Sequence, residues 1–340
     1  MSAYLISIKR KNLKMVSLPQ KITVTTDNGT DLSNNVTLIA DQYLKLLINL
    51  SGGTKDFTNT DTITLTPDSD WMTVVKENKV TIMPQHAVAE FLVKVNSDKQ
   101  FFNKLQSFTV STSNAGYYSR RFSFNLSDIM LDTLSLTADK FHIDAPAGEN
   151  NPDLENTHRV TISTTVKNSA GVAIQNLRVN ISANSVDSLS KIGLMDAEGI
   201  PLQLNTRDPS LYQQFTLITD ADGNLKFYVF PQKNTDIVLS FYSSIEGLPI
   251  EKKSEKALFV LNSVIAEFEE HLIAPDIVEI QGDILKQPED QKYFNVKIPP
   301  YNDAKVTDYI IYIINDNILE EYFVVEDLSK LDDYSYPLPY

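Results

Sequence analysis

The sequence predicts an all-β chain of β-sandwiches in tandem, closed by a third, acidic β module. Three observations predict it. Apolar side chains alternate with Thr, Ser and Lys at a period of two along most of the chain, the pattern of half-buried strands. Turn clusters of Gly, Asn, Asp and Pro interrupt that pattern at short intervals. Few segments sustain a period of 3.6, so the apolar 42% of the residues must be buried by sheets rather than helices.

Residues 21–26 put Ile22 and Val24 on one face, and residues 60–66 alternate Ile63 and Leu65 with Thr. Residues 79–83, 107–112 and 121–126 repeat the alternation. The turns between them are Asp27-Asn28-Gly29, Ser51-Gly52-Gly53, Pro67-Asp68-Ser69-Asp70 and Asn114-Ala115-Gly116. Residues 98–105 have spacing for one or two helical turns. Trp71, the single Trp, is expected to plug a core. Boundaries are expected at residues 127–131 and 261–266, giving modules 1–130, 131–263 and 264–340. Neither joint is a long Gly/Pro linker, so the expected assembly is a semi-rigid rod.

In the second module Val160, Ile162, Thr164 and Val166 alternate, Asn168-Ser169-Ala170-Gly171 turns, and Leu177, Val179 and Ile181 alternate on the return. That reads as a hairpin-like pair. Residues 215–219 run into Asp220-Ala221-Asp222-Gly223-Asn224 and out through 225–229, a second hairpin signal, because Asp-Gly suits a tight turn between alternating runs. A last strand is expected over 237–241. Within 185–212, Ile192, Leu194 and Met195 with the turn at Glu198-Gly199 predict a small hairpin of their own.

The order of Lys167-Asn168-Ser169-Ala170-Gly171 between strands, then Thr219-Asp220-Ala221-Asp222-Gly223-Asn224 before another, resembles the bacterial Ig-like domains of the invasin/intimin (Big-1) type. The resemblance covers residues 132–262 and is best at 160–183 and 215–241. The chain departs from the family pattern at Ala173-Ile174-Gln175-Asn176, where a Pro-x-Gly type of sequence usually opens the return strand, and in the long insertion 185–212. The resemblance implies an immunoglobulin-like sandwich serving as a spacer or adhesive module. It further implies an extracellular or cell-surface setting and a protein or glycan surface partner, and no enzyme. The fold class is therefore all-β, with tandem immunoglobulin-like sandwiches and a third acidic β module.

The third module carries strand-like runs at 277–285, 294–301 and 309–314. Val296-Lys297-Ile298-Pro299-Pro300-Tyr301 followed by Tyr309-Ile310-Ile311-Tyr312 is similar to repeat units of large bacterial surface or secreted β proteins. With few strands before Tyr340, a truncated chain or an edge completed by a partner is expected.

Charge and composition exclude several functions. The net charge is −14, a poor footprint for nucleic acid, whose phosphates require basic surfaces. The balance is uneven: 1–130 has 14 basic and 11 acidic residues, 131–263 has 11 and 16, and 264–340 has 5 and 17. The acidic surface either keeps the protein soluble or docks a partner. The absence of Cys excludes disulfides, thiol catalysis and thiolate metal sites. No apolar run approaches a bilayer-spanning length, and Lys9, Arg10, Lys11 and Lys14 follow rather than precede the first apolar run, the wrong order for a signal peptide. The chain as given reads as soluble, without membrane insertion. That basic run suits either a phosphate or membrane surface or a Lys-protected edge strand.

No catalytic constellation, cofactor or metal set is expected. Asp220-Ala221-Asp222-Gly223 opens like a calcium loop, but the twelfth position is Pro231 rather than Glu. His86, His142, His158 and His271 are scattered, and no Gly-x-Ser-x-Gly, Gly-x-Gly-x-x-Gly or Walker pattern occurs. The pairs Glu320-Glu321 and Asp332-Asp333 are adjacent, so on a strand they point to opposite faces and form no acid–base pair. The candidate binding residues are Tyr117, Tyr118, Arg120 and Arg121, exposed Tyr beside Arg being common in recognition surfaces. The alternative is that one Tyr of the pair faces the core. The leading expectation is a non-enzymatic adhesion or interaction protein. The rival is a self-associating subunit of a fibre, tail or toxin assembly.

Overall fold

Alternation in the first part of the chain builds the strands β1 (Lys21–Thr26), β2 (Thr37–Ile39), β3 (Tyr43–Ser51), β4 (Ile63–Pro67), β5 (Met72–Glu77), β6 (Thr81–Met83), β7 (His86–Val95), β8 (Leu105–Thr112) and β9 (Arg120–Ser127). The structure is a computed structural model describing residues 20–26, 29, 31–32, 36–77, 80–83, 85–205, 213–262, 276–277, 280–281, 284–285, 287, 290–301, 304–306, 308–314, 317–329 and 335–339. Lys9, Arg10, Lys11, Lys14, His271 and Asp332-Asp333 lie outside the described residues.

One sheet runs β1-β3-β7-β5, with β6 also on β7, and the facing sheet runs β2-β9-β8-β4. All pairs are antiparallel except β2 on β9. The alternating inward residues meet between the sheets: Leu46, Ile48, Phe91 and Val93 from one, Phe108, Phe122 and Phe124 from the other. Trp71 is fully buried, as expected. Its Nε1–H donates across the sandwich to the Ser107 carbonyl at 3.1 Å, which satisfies the indole's one polar atom. The helical spacing at 98–105 yields one 3₁₀ turn, Lys99–Phe101, capped by the Asp98 carboxylate accepting the Gln100 N–H.

The second sandwich contains β10 (Thr137–Ala138), β11 (His142–Asp144), β12 (Val160–Thr165), β13 (Arg178–Ala183), β14 (Ile192–Asp196), β15 (Gln214–Ile218), β16 (Asn224–Pro231), β17 (Ile237–Leu239), β18 (Phe241–Ser244), β19 (Glu251–Lys253) and β20 (Leu258–Leu261). Its sheets run β10-β12-β16-β14, β15-β13-β18-β19 and β11-β20-β17. The core is spined by edge-on rings, Phe215 to Phe227 at 5.1 Å and Phe227 to Phe241 at 5.5 Å. Each such buried ring is worth about 2–3 kcal/mol of transfer free energy. In a chain without Cys this apolar burial takes the place of disulfide staples.

Both expected hairpins are corrected. β12 and β13 lie in different sheets, as do β15 and β16. The ladder after β12 is short: Ile174 N–H bonds the Val166 carbonyl and Asn168 N–H that of Val172. Asn176, at φ 56°, then turns the chain into the facing sheet. The Asp220 turn is likewise an arch between sheets. Its Oδ1 accepts the N–H groups of Asp222 and Asn224, fixing a tight reversal without laying its two strands side by side. Gly223 is required there, because φ is +76° and a Cβ would lie 2.7 Å from the Val166 carbonyl oxygen.

Two further segments refine the expectation. β14 does have a local return, with Leu202 N–H bonding the Leu194 carbonyl and Asp196 N–H that of Ile200. It also extends the main sheet through β16. The expected strand over 237–241 is split at Ser240 into β17 and β18, which belong to different sheets. The Asn184 amide fills the break, donating to the Val238 carbonyl and accepting the Ser240 N–H.

The two sandwiches interlock. Thr37 N–H donates to the Asn176 carbonyl at 3.0 Å and Thr37 Oγ1 to that of Gln175 at 2.6 Å. Gln42 Nε2 donates to the Glu246 carbonyl, and Tyr43 N–H to that of Gly247 at 2.8 Å. Ile39 of β2 packs into the core of the second sandwich with Leu134 and Leu136. The half-buried Arg178 guanidinium donates to the Asp31 carbonyl. Burial pushes the Arg178 pKa down, opposed by the charges of Asp31 and Glu246.

The last part of the chain forms β21 (Asp276–Ile277), β22 (Ile280–Gln281), β23 (Ile284–Leu285), β24 (Tyr293–Lys297), β25 (Tyr309–Ile314), β26 (Asn317–Val324) and β27 (Ser335–Pro339). These pair as β21-β24-β27, β22-β23 and β25-β26. Val296, Ile310 and Val325 make a small core. The Tyr309 ring meets Phe259 of β20 edge-on at 5.5 Å. Glu320 and Glu321 are successive residues of β26.

Candidate binding surface

Strand register shows which end of the first sandwich lies away from the junction. Lys21 pairs with Ser51, and Ser51 with His86, while β9 begins at Arg120 beside them in the facing sheet. Tyr43, at the other end of β3, carries the bond to Gly247. The segments 51–62 and 113–119, together with Gln20, therefore form a tip opposite the junction.

The tip is built from the Asn114-Ala115-Gly116 turn. Asn114 is buried; its Oδ1 accepts the Gly116 N–H, and its Nδ2 donates to the Asp56 carbonyl and to Asp61. The Thr58 N–H holds the Asp61 carboxyl below the usual range against the opposing effect of burial, helped by the side chains of Thr58, Asn114 and Ser113.

The four candidate residues part company. Tyr117 is 7% exposed and is a core residue, which corrects its placement on the surface. Its ring lies 4.8 Å from that of Phe57, and its hydroxyl accepts the Gly53 N–H at 3.0 Å and donates to the Gln85 carbonyl at 3.1 Å. Gly53 makes room for it, since a Cβ there would lie 2.2 Å from the Tyr117 ring. Tyr118 is 83% exposed, and only its backbone is tied down, by a two-way bond with the Gln20 amide. Arg120 donates to the Ile22 carbonyl and lies 5.0 Å over the Phe122 ring, closing the end of the sandwich. Arg121 is engaged with Asp68 and Ser107. Successive strand residues face opposite sides, so the tip keeps Tyr118 and the rim of Arg120, while Arg121 belongs to the outer face of β9.

The scattered His residues include one convergence that the sequence hides. His142 Nε2 meets the Asp144 carboxylate at 3.2 Å, and His158 Nε2 meets the Asp144 carbonyl at 2.7 Å. Among the described residues no three His, Cys, Asp or Glu side chains are placed to hold a metal ion. Among the same residues no helix is long and apolar enough to cross a membrane. The residues missed by sequence reasoning are those of the junction, Ile39, Thr37 and Gly247, and the Gln20 that braces Tyr118. The only signal for Gly247 was its place in Glu246-Gly247-Leu248, a turn not singled out.

No family model matches the chain, and no curated protein matches it. Solved structures do. The Yersinia pseudotuberculosis adhesin InvE aligns at 13% identity over 70% of this chain and 58% of that one, with a TM-score of 0.25. The D00-D0 domain of intimin aligns at 12% identity over 71% of this chain and 100% of that one, with a TM-score of 0.25. The Escherichia coli adhesin FdeC aligns at 12% identity over 87% of this chain and 81% of that one, with a TM-score of 0.24. Ig-like domains of invasin/intimin-type adhesins are thus among the structures this chain is similar to. The all-β sandwich architecture itself is read from the sheets described above.

Proposed function

We propose that this chain is a non-enzymatic interaction protein of a bacterial surface, organised as modules 1–130, 131–263 and 264–340, that presents the tip of its first sandwich to a protein or glycan partner. The observation that carries the reading is the disposition of that sandwich. One end is interlocked with the second sandwich through Thr37, Gln42 and Tyr43, and the opposite end displays Tyr118, 83% exposed, on a buried scaffold of Tyr117 and Asn114. A rigidly backed, exposed Tyr gives contact area at low entropic cost, as recognition surfaces require. The test is binding of the fluorescently labelled chain to glycan arrays and to epithelial cells. Saturable binding that falls at least tenfold in Tyr118→Ala, with unchanged thermal unfolding, is the expected result. Equal binding by that variant, or catalytic turnover of a bound glycan, overturns the proposal.

A further inference from the structure

We propose that the edge of β15 away from β13, which among the described residues carries only the Asn205–Gln214 bridge, is a docking site for an extended, basic peptide of a partner protein, which adds to the sheet as a strand. This site is separate from the Tyr118 tip and stands without it.

The hydrogen-bond parity of β15 identifies the open edge. The Asn205 N–H donates to the Gln214 carbonyl from the side away from β13, and the Thr219 N–H donates to the Leu177 carbonyl on the β13 side. Backbone groups alternate along a strand. The N–H and C=O of Thr216 and Ile218 therefore point away from β13. They face a groove of about 760 Å³ bounded by β15, the turn after β14, and the neighbouring parts of β12 and β16.

Edges of this kind are normally blunted by charge, Pro, a bulge or brevity. Among the described residues the other edges of the two sandwiches are. β1 opens on Lys21, β4 ends on Pro67, and β5 is bulged between Val74 and Lys76. β19 is Glu251-Lys252-Lys253, β14 is covered by its return, and β2, β6, β10, β11 and β17 have three residues or fewer. β15, Gln214-Phe215-Thr216-Leu217-Ile218, has no charge, no Pro and no bulge. Ile218 is 53% exposed, leaving an apolar side chain beside the open backbone groups.

Charge selects the peptide. The groove carries the carboxylates of Asp196, Glu198 and Asp220 against the single ammonium of Lys226. Main-chain pairing supplies the affinity in strand addition, and side chains supply the choice of partner. A segment alternating Lys or Arg with β-branched residues fits both the acidic wall and Ile218.

The experiment uses the full chain and two short labelled peptides, one alternating lysine with valine and one alternating glutamate with valine. Fluorescence anisotropy reads affinity, and hydrogen exchange by mass spectrometry reads the amides of residues 214–218. The lysine peptide is expected to bind saturably, at least tenfold tighter than the glutamate peptide, and to slow exchange at β15. Thr216→Pro removes an outward N–H that no ladder bond uses and is expected to weaken binding at least tenfold. Glu198→Lys, on an exposed turn, leaves two carboxylates against two ammonium groups and is expected to abolish the preference between the peptides whether or not the proline variant folds. The proposal is overturned by absence of binding, by equal affinity for both peptides, by protection confined to other segments such as the acidic last module, or by a Glu198→Lys chain with unaltered preference.

Discussion

The N–H of Tyr43 donates to the carbonyl oxygen of Gly247 at 2.8 Å, and Gly247 returns the approach by lacking a side chain: a Cβ there would lie 2.0 Å from the Tyr43 carbonyl oxygen. The start of β3 in one sandwich and the β18–β19 turn of the other are thus brought to backbone distance at the junction. The same stretch of chain, from Thr37 to Tyr43, also places Ile39 in the second core. A hinge here would have to break backbone bonds and expose that Ile together.

Gly247→Ala tests the coupling. Its φ of +80° costs any L residue about 1–2 kcal/mol. Gly171→Ala carries the same backbone cost, at φ +78°, but nothing lies within 4 Å of the added methyl. The difference between the two variants isolates the contact with Tyr43. Trp71 fluorescence follows the first sandwich alone, and circular dichroism follows the whole chain. In the parent protein and in Gly171→Ala the two urea transitions should coincide. In Gly247→Ala they should separate.

Tyr117 and Tyr118 are neighbours with opposite fates, and their variants should behave accordingly. Tyr117→Phe leaves the Gly53 N–H without its partner and the Gln85 carbonyl with the Gly52 N–H alone, and should cost about 1–3 kcal/mol. Tyr118→Ala should change stability by less than about 0.5 kcal/mol. The pH dependence distinguishes them further. Burial, then the charge of Asp56, raises the Tyr117 pKa above the ordinary 10.0. The neutral phenol therefore favours the fold. That contribution is complete below pH 10.0 and is lost as pH rises through the folded value. Urea unfolding in an alkaline series should show a steeper decline in the parent than in Tyr117→Phe.

Much of the strand content was legible in the residues, and much of the pairing was not. The alternation at 21–26, 107–112 and 121–126 became β1, β8 and β9 because each run has one apolar face and a core to bury it in. A turn motif, by contrast, reports a reversal of direction and not the sheet that receives the chain. The Gly171 and Gly223 turns carry hairpin-like sequences, yet the chain crosses at both, and Thr219 ties the two crossings to each other. Its Oγ1 accepts the Leu177 N–H and donates to the Ile174 carbonyl, so a side chain at the start of the second crossing also holds the first, which is distant from it in sequence. At the tip, alternation implied one buried Tyr without naming it, because Tyr117 precedes β9 and follows turn geometry. The neutralisation of Arg121 by Asp68 was invisible, since the partners are distant in sequence and meet only once β9 is in place.

Asp220 holds the second of those crossings, and its charge makes the fold sensitive to acid. Burial opposes ionisation, but the Asn224 N–H, the Asn224 amide and the Asp222 N–H outweigh it and hold the carboxyl below its usual 3.8. A depressed carboxylate stabilises the fold above the unfolded value, and that contribution disappears as pH falls through the folded one. Asp220→Asn keeps an oxygen for the two backbone N–H groups and loses the charge, so it should cost about 1 kcal/mol at neutral pH. The cost should vanish as pH falls below 3.8, where the parent carboxylate is itself being protonated. Asp220→Ala removes the acceptor and leaves both N–H groups unpaired, so its cost, about 2 kcal/mol, should persist in acid. Urea unfolding of the three chains from neutral pH to below 3.8 checks the order. A constant gap between the parent and Asp220→Asn across that range would show that the carboxylate's charge contributes nothing to the crossing.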